Sequence, residues 1–233
     1  MPLVSIATST FGRPEYIKSI TVPCLLNQDF RDFEFHLAGD FDSPEIQAEM
    51  ERFFEGLNDR RFNYFNNDKP WYRDADPSQF QIGGSIWNIA GVPALNKAIE
   101  KCSGEYFFRL DDDDAWARDH ISSYLEVFSR ERDADVLHSP GDFYLHDRPQ
   151  GIFGQKLDPD SMLNGVNQMF HSTVAWRTKI VGFEKYSDDP ILPADLQQWQ
   201  KFVRFGHKFH FINRVTMTYL QRCSLDFSKQ FVR

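Results

Sequence analysis

Cysteine is scarce in this chain. Cys24, Cys102 and Cys223 stand far apart, which excludes a disulfide framework and a zinc site with cysteine ligands and leaves each as a small buried apolar residue. Long apolar runs are missing too. Stretches such as Leu3 to Ala7, Phe33 to Ala38 and Tyr106 to Leu110 fall well short of the roughly 18 to 20 residues that cross a bilayer, so no transmembrane segment is expected. Basic charge is in deficit. With 26 Lys and Arg against 34 Asp and Glu, the net charge of -8 argues against binding to a nucleic-acid backbone, which needs clustered cations to displace counterions. A small phosphate-bearing ligand is still admissible if a divalent cation lies between its phosphates and the protein's carboxylates. No basic segment, apolar stretch and cleavage site precede the first apolar residues, so the expected location is cytoplasmic, or peripheral at a membrane surface. No low-complexity stretch interrupts the 233 residues, and 41% hydrophobic content suits one domain.

What is there is an alternation of strand and helix patterns. Leu3 to Ser9 is short, apolar and β-branched, and a Gly12-Arg13-Pro14 turn follows it, so a buried strand is expected. Pro14 suits the first turn of a helix carrying Tyr16, Ile17, Ile20, Leu25 and Leu26. Pro23 removes a backbone donor and should bend that helix. Phe33 to Gly39 reads as a second strand. Ser43-Pro44-Glu45 supplies an N-cap, an N1 proline and an acidic first turn for the next helix. Arg61 to Phe65 is the third strand, and residues 66 to 84 form a loop long enough to suggest function. A helix over about 85 to 101 leads into a strand from Tyr106 to Leu110. A helix over about 117 to 132, a strand near 136 to 139, a helix over 194 to 205 and a strand over 210 to 220 complete the reading. Such alternation predicts an α/β fold with a mostly parallel sheet covered by helices on both faces. Ligands in such sheets bind beyond the carboxyl ends of the strands.

The run Asp111-Asp112-Asp113-Asp114 lies at one of those ends. Four adjacent carboxylates repel one another unless a cation, solvent or basic partners compensate. Magnesium and similar hard cations take one or two carboxylates plus substrate phosphates. In an extended segment the first and third side chains share a side, so Asp111 and Asp113 are the candidate metal ligands. The plainer alternatives are a solvated acidic turn, or Asp114 serving only as an N-cap for the helix that follows.

The ordered blocks Val4-Ser5-Ile6, Ser9-Thr10-Phe11-Gly12-Arg13-Pro14-Glu15-Tyr16, Leu26-Asn27-Gln28 and Asp32-Phe33-Glu34 resemble the opening of family 2 glycosyltransferases. Ala94 to Ile99, Gly104-Glu105-Tyr106, Leu110 to Asp114 and Trp116 resemble that family's central block, which ends in its Asp-x-Asp motif. Together they cover about the first 130 residues. The resemblance implies a GT-A fold: a Rossmann-like central sheet with a smaller, partly antiparallel acceptor-side region. It implies one domain over 1–233, with a nucleotide-binding half at 1–116 and an acceptor-binding half at 117–233. It also implies an inverting transferase that moves a sugar from a nucleotide donor, uridine diphosphate above all, to a hydroxyl on a glycan, lipid-linked glycan or related acceptor.

Carried over by position, the resemblance implies that Ser9, Thr10, Phe11 and Arg13 line the nucleotide pocket and that Asp40 contacts the base. Asp111 or Asp112 would reach the ribose, and Asp113 would ligate Mn²⁺ or Mg²⁺ on the diphosphate. The family often has Pro-Thr-Tyr-Asn where this chain has Ser9-Thr10-Phe11-Gly12, and Gly39 replaces a common aspartate beside Asp40. The basic residue often found before the Ala94 helix has only Arg73 as a counterpart. Asp195, in Pro193-Ala194-Asp195-Leu196, is the expected general base, with Asp188 and Asp189 as competitors. His171 and Trp199 are the acceptor-side candidates. Trp71, Tyr72 and Trp87 are candidate stacking residues, for each of which core packing is the plainer reading, and Arg222 is a candidate near the diphosphate in place of Cys223. A sugar nucleotidyltransferase is an alternative, although such enzymes open with a Gly-rich basic phosphate loop that Ser9 to Arg13 does not match. A non-catalytic glycan- or Ca²⁺-binding domain is the other.

Overall fold

A computed structural model describes residues 1–74 and 85–232. Of the long loop expected over 66 to 84, residues 75–84 lie outside the described residues. Eleven strands fall in two sheets. The larger sheet has seven: β1 (Val4–Thr10), β2 (Phe33–Gly39), β3 (Phe62–Asn66), β4 (Tyr106–Arg109), β6 (Val136–His138), β9 (Val174–Arg177) and β10 (Phe209–Phe211). Their spatial order is β10-β6-β9-β4-β1-β2-β3. Pairing is parallel from β4 through β1 and β2 to β3, and β9 is antiparallel to both β4 and β6. A smaller sheet orders β5 (Ala115–Trp116), β11 (Met217–Gln221), β7 (Gly141–Leu145) and β8 (Arg148–Phe153) as β5-β11-β7-β8, with one parallel and two antiparallel pairings. The α/β expectation of a mostly parallel central sheet beside a smaller, partly antiparallel region therefore holds.

Successive residues of a strand point to opposite faces, and the two cores divide on that period. Ile6, Leu37 and Phe108 face one side, against the helices α2 (Val22–Leu26), α3 (Pro44–Leu57) and α5 (His120–Arg130), while the short α1 (Pro14–Tyr16) contributes no residue to that core. Ala7, Ala38 and Phe107 face the other, against α4 (Val92–Glu100), α6 (Pro159–Leu163) and α8 (Ala194–Arg204). Both faces of β1 and β2 are covered, which agrees with their richness in apolar and β-branched residues, although Ser5, Thr8, Glu34 and His36 interrupt the runs. β9 from the second half sits between β6 and β4, so the boundary at 116 divides the sequence and not the sheet. Among the described residues no helix is long and apolar enough to cross a membrane.

Several elements differ from expectation. The helix that Pro23 was expected to bend is instead three segments, α1, a π-helical turn over Ile17–Thr21 and α2 with Pro23 in its first turn, and the Val22 amide donates to Ile17. The helix expected over 85 to 101 is a 3₁₀ turn at Ile86–Asn88 followed by α4 from Val92. Gly91 interrupts it at φ 78, and a Cβ there would lie 2.9 Å from Ser9 Oγ. The helix expected from 117 begins at His120. The strand expected over 210 to 220 is two strands in different sheets, because the chain leaves β6 after Phe211 and turns through Asn213-Arg214 before joining β5 and β7. Residues 171–173 form a 3₁₀ turn, not a strand, ahead of β9.

His120 and His138 are both fully buried. His120 stacks on Trp116 with ring centroids 4.2 Å apart, and its Nδ1 lies 2.8 Å from Thr216 Oγ1. Burial pushes both imidazoles down to about 3. A folded-state pKa below the unfolded value of about 6.5 means that the unfolded chain takes up protons first. Stability is therefore fully present above pH 6.5 and is lost as pH falls towards 3, by up to about 1.4 kcal/mol per pH unit for each group. Urea titrations between pH 7.5 and 5 should show this decline. His138→Leu should flatten it while changing stability at pH 7.5 by less than about 1.5 kcal/mol.

Candidate active site

The carboxyl ends of β1, β2 and β4 stop side by side, where the strand order turns from β1 out to β2 on one side and to β4 on the other. That is where a doubly wound sheet opens a crevice. Here the crevice is a cleft of about 510 Å³. Asp42 shapes its first loop: it is buried, its carboxylate accepts from the Gly12 amide at 2.8 Å and from Tyr64 Oη at 3.2 Å, and its own amide donates to Asn66 Oδ1 at 2.9 Å. Gly39 is required beside it, since a Cβ would come within 2.5 Å of Asp42 Oδ2.

At one end of the cleft lies Asp40, 1% exposed. Its Oδ2 accepts from the Tyr72 hydroxyl and from Arg73 Nη2 at 3.0 Å. Tyr72 Oη in turn accepts from the Gly91 amide at 3.0 Å, so the interruption of the expected helix is part of the same network. Asp40 Oδ1 is buried with no hydrogen-bond partner among the described residues. The Arg73 guanidinium stands 3.6 Å from the centroid of the Phe11 ring, which is half exposed.

The aspartate run occupies the floor. It is a turn, closed by the Asp114 amide donating to Asp111, and not the extended segment that would aim Asp111 and Asp113 alike. Each carboxylate has a different environment. Asp111 pairs with Arg109 Nη2 at 2.5 Å and lies 3.6 Å from His171 Nδ1. Burial works against its charge, but Arg109 and His171 outweigh burial and hold it below the ordinary carboxylate range. Asp112 accepts from Thr10 Oγ1 at 2.7 Å and from Arg13 Nη1 at 3.2 Å, yet burial raises it. Asp113 accepts from Arg13 Nη1 at 2.8 Å. Burial, with Asp112 and Asp111 beside it, pushes Asp113 up to about 7. Asp114 points away from solvent entirely, accepting from Ser172 Oγ at 2.6 Å and the Leu220 amide at 3.2 Å. Burial and the two nearest aspartates raise it far above its ordinary range. Asp114 is not an N-cap: the helix after the run starts at His120, behind Asp119.

Asp195, in the first turn of α8, closes the far wall. Its Oδ2 accepts from Asn167 Nδ2 at 2.6 Å and its Oδ1 from the Leu196 amide at 2.8 Å. The cleft thus gathers Ser9, Thr10, Phe11, Arg13, Asp40, Arg73, Asp111, Asp112, Asp113, His171 and Asp195. Trp199 is not among them. It is fully buried and faces His171 edge-on at 6.0 Å, in the core beneath the cleft. Asp188 is also outside the lining, and Asp189 and Arg222 line neighbouring clefts. Trp87 is 87% exposed on the rim, Tyr72 is buried against Asp40, and Trp71 packs edge-on to Tyr72.

Arg109, Tyr186, Asn167 and Ser172 escaped the sequence reading. A lone arginine ending the run Tyr106-Phe107-Phe108 directly before four aspartates was the available signal for Arg109. Nothing local pointed to the other three.

A divalent cation fits this floor in a limited way. Among the described residues no three His, Cys, Asp or Glu side chains converge as a cage. Asp113 keeps 26% of its side chain exposed and carries the least compensated charge of the cleft-lining run. One or two carboxylates completed by ligand phosphates is the arrangement magnesium-like ions adopt, and Asp113 with Asp111 would supply them.

Comparison with known proteins points the same way. The profile of glycosyl transferase family 2 matches residues 87–174, which contain the aspartate run and His171 but neither Asp40 nor Asp195. An uncharacterized glycosyltransferase of Methanocaldococcus jannaschii is 21% identical over 225 residues, covering 94% of this chain and 70% of its own. Two solved structures are similar in fold. One is S. aureus TarS 1-349 in complex with UDP, at TM-score 0.61 and 15% identity, covering 92% of this chain and 59% of that one. The other is the mannosyltransferase PcManGT of Pyrobaculum calidifontis in complex with GDP-Man and Mn²⁺, at TM-score 0.62 and 13% identity, covering 95% of this chain and 58% of that one. This chain therefore spans less than two thirds of either solved protein.

Ser172 offers a direct check on how the run is held. Its Oγ donates to Asp114 and accepts from the Asp111 amide at 2.9 Å. Ser172→Ala leaves both groups buried without that partner, and a loss of about 1 to 3 kcal/mol in unfolding free energy is expected by chemical denaturation.

Proposed function

Because the chain belongs to glycosyltransferase family 2 and has its GT-A fold, we propose that it transfers a sugar from a uridine diphosphate donor to an acceptor hydroxyl, with inversion and with a divalent cation on the diphosphate. The observation that carries the donor assignment is the state of Asp40. Tyr72 and Arg73 occupy Oδ2, and Oδ1 alone is left, buried and unpartnered. A single free acceptor suits a base presenting one ring N–H, as uracil does. Guanine presents an N–H and an adjacent amino group, which call for two acceptors. Phe11, with Arg73 across its face, offers a stacking surface for the same base.

Ser9, Thr10 and Arg13 lead from the base towards the phosphates, with Asp111 and Asp112 at the ribose and Asp113, assisted by Asp111, as the cation's carboxylate ligand. When bound, Mn²⁺ or Mg²⁺ supplies positive charge to the departing diphosphate oxygens. Residues 1–116 serve the nucleotide and 117–233 the acceptor.

Asp195 acts as the general base. The acceptor hydroxyl gives its proton to a carboxylate oxygen of Asp195 while its own oxygen bonds to the anomeric carbon, and the bond from that carbon to the diphosphate breaks on the opposite face. Attack and departure on opposite faces invert the configuration. Asn167 and the Leu196 amide hold the carboxylate in one orientation, and His171 Nδ1 lies 3.6 Å from Asp111. The acceptor class is a glycan, a lipid-linked glycan or a similar hydroxyl compound.

Isothermal titration of UDP and GDP with and without Mn²⁺ tests this reading. UDP should bind at least about 10-fold more tightly than GDP, a difference of about 1.4 kcal/mol, and Mn²⁺ should tighten UDP binding. Asp113→Asn should remove the Mn²⁺ effect. Asp195→Asn should leave UDP affinity within about two-fold and lower turnover by about 10²- to 10⁴-fold. Equal affinity for UDP and GDP would sink the Asp40 argument, and unchanged turnover in Asp195→Asn would remove it as the base.

A further inference from the structure

Behind the wall that carries Asp195 lies a second cleft, of about 480 Å³. The segment 185–193 forms a partition: Tyr186 and Pro193 face the active site, while Lys185, Ile191 and Leu192 face the second cleft. Gln197 pins the partition, donating from Nε2 to the carbonyls of Asp189 and Leu192 at 2.7 Å each. The other wall is α8, which starts at Asp195 and presents Gln198, Lys201 and Arg204 to this cleft.

Two observations point to a ligand. The first is Gln198, 1% exposed, whose Nε2 is buried with no hydrogen-bond partner among the described residues. An unmade bond of this kind costs about 1 to 3 kcal/mol, and the group is a donor only, so what it lacks is an acceptor oxygen. The second is charge. Lys185, Lys201 and Arg204 line a cleft whose one carboxylate, Asp189, is engaged by the Ile191 amide at 3.0 Å. Arg204 has no carboxylate within salt-bridge distance among the described residues; its guanidinium meets only Gln200 Oε1, at 3.4 Å. Lys185 and Lys201 pair with Glu100 and Glu184 in partly exposed bridges, which are worth little and yield readily to another anion. Three cations and a buried amide donor converge in a protein of net charge -8.

We propose that this cleft binds a phosphate or carboxylate group carried by the sugar acceptor, so that the preferred acceptor is an acidic glycan. Naming the ligand an acceptor rests on the transferase reading; the anion site itself does not. Lys201 lies six residues beyond Asp195, about 9 Å along the helix, so the acidic group held there and the hydroxyl presented to the base belong to different sugar residues of one glycan that passes the partition. The bound group accepts from Gln198 Nε2 and pairs with Lys201 and Arg204.

The test is NMR of the Gln198 side-chain amide during titration with glucose 6-phosphate, glucuronate, glucose and inorganic phosphate, with UDP titrated separately. Glucose 6-phosphate and glucuronate should move the Gln198 signals saturably and glucose should not. Lys201→Ala with Arg204→Ala should weaken both acidic sugars at least 10-fold while UDP affinity stays within two-fold, which also reports that the variant is folded. Gln198→Leu should weaken them with both cations in place. The proposal is overturned if the Gln198 signals stay still, if glucose moves them equally, or if inorganic phosphate does so and the acidic sugars do not. It is also overturned if the cations prove to serve phosphatidylserine-containing vesicles, whose binding would be lost in the double variant while no sugar shifts Gln198. Acidic-sugar binding without UDP binding would support the site and count against the donor reading alone.

Discussion

Carboxylates crowded at the carboxyl edge of a parallel sheet must be compensated, and the arrangement of the active cleft follows from how this chain does it. Asp40, Asp111, Asp112 and Asp113 all converge on one crevice, where burial opposes their charge. Three arginines answer them: Arg73 at Asp40, Arg109 at Asp111, and Arg13 across Asp112 and Asp113. Arg109 is itself buried, donating to the carbonyls of Ala7 and Leu110. It ties the ends of β1 and β4 together while it neutralises the first aspartate. Compensation is complete at Asp111 and incomplete at Asp113, and that inequality gives adjacent, chemically identical residues different properties.

The same demand joins the two halves of the chain. Asp114 is too deep for solvent and depends on Ser172 and the backbone of β11. Ser172 also takes the Asp111 amide, and its carbonyl accepts from Trp116 Nε1 at 2.7 Å. A turn in the second half thereby fixes the geometry of the run in the first, and the smaller sheet contributes an amide to it. Asp195 reaches the same cleft from α8, oriented by Asn167. The proposed base, the candidate metal ligands and the proposed nucleotide pocket are held in register by hydrogen bonds that cross from one half to the other, not by proximity in sequence.

Much of the frame was legible from residue pattern. The strands β1 and β2 are short segments rich in apolar and β-branched residues, and both of their faces are covered. Ser43-Pro44-Glu45 announces α3, and Ser43 Oγ does accept the Ile46 amide, at 3.4 Å. Where pattern misled, a tertiary contact had overridden it. Gly91 takes a left-handed conformation against Ser9, so half of an expected helix becomes a turn whose amide serves Tyr72. The apolar alternation over 210 to 220 spans two sheets because each half finds a different partner strand. Trp199 has the composition of a sugar-stacking residue, and the packing of α8 on the sheet buries it.

By itself the sequence determined the α/β frame, the placement of an acidic run at a strand end and, through ordered motif blocks, the family. Those follow from periodicity and local spacing, which a linear chain records directly. Only the tertiary structure decided which oxygen of Asp40 is free, that the aspartate run is a turn and not an extended segment, that Asp114 belongs to the interior, and that Arg109, Asn167 and Ser172 hold the site. Each of these depends on partners tens of residues away, whose approach is set by packing rather than by any local pattern. The same holds for the buried, unpartnered amide of Gln198: the second cleft that this residue lines arises where α8 and the segment before it meet, and neither alone encodes it.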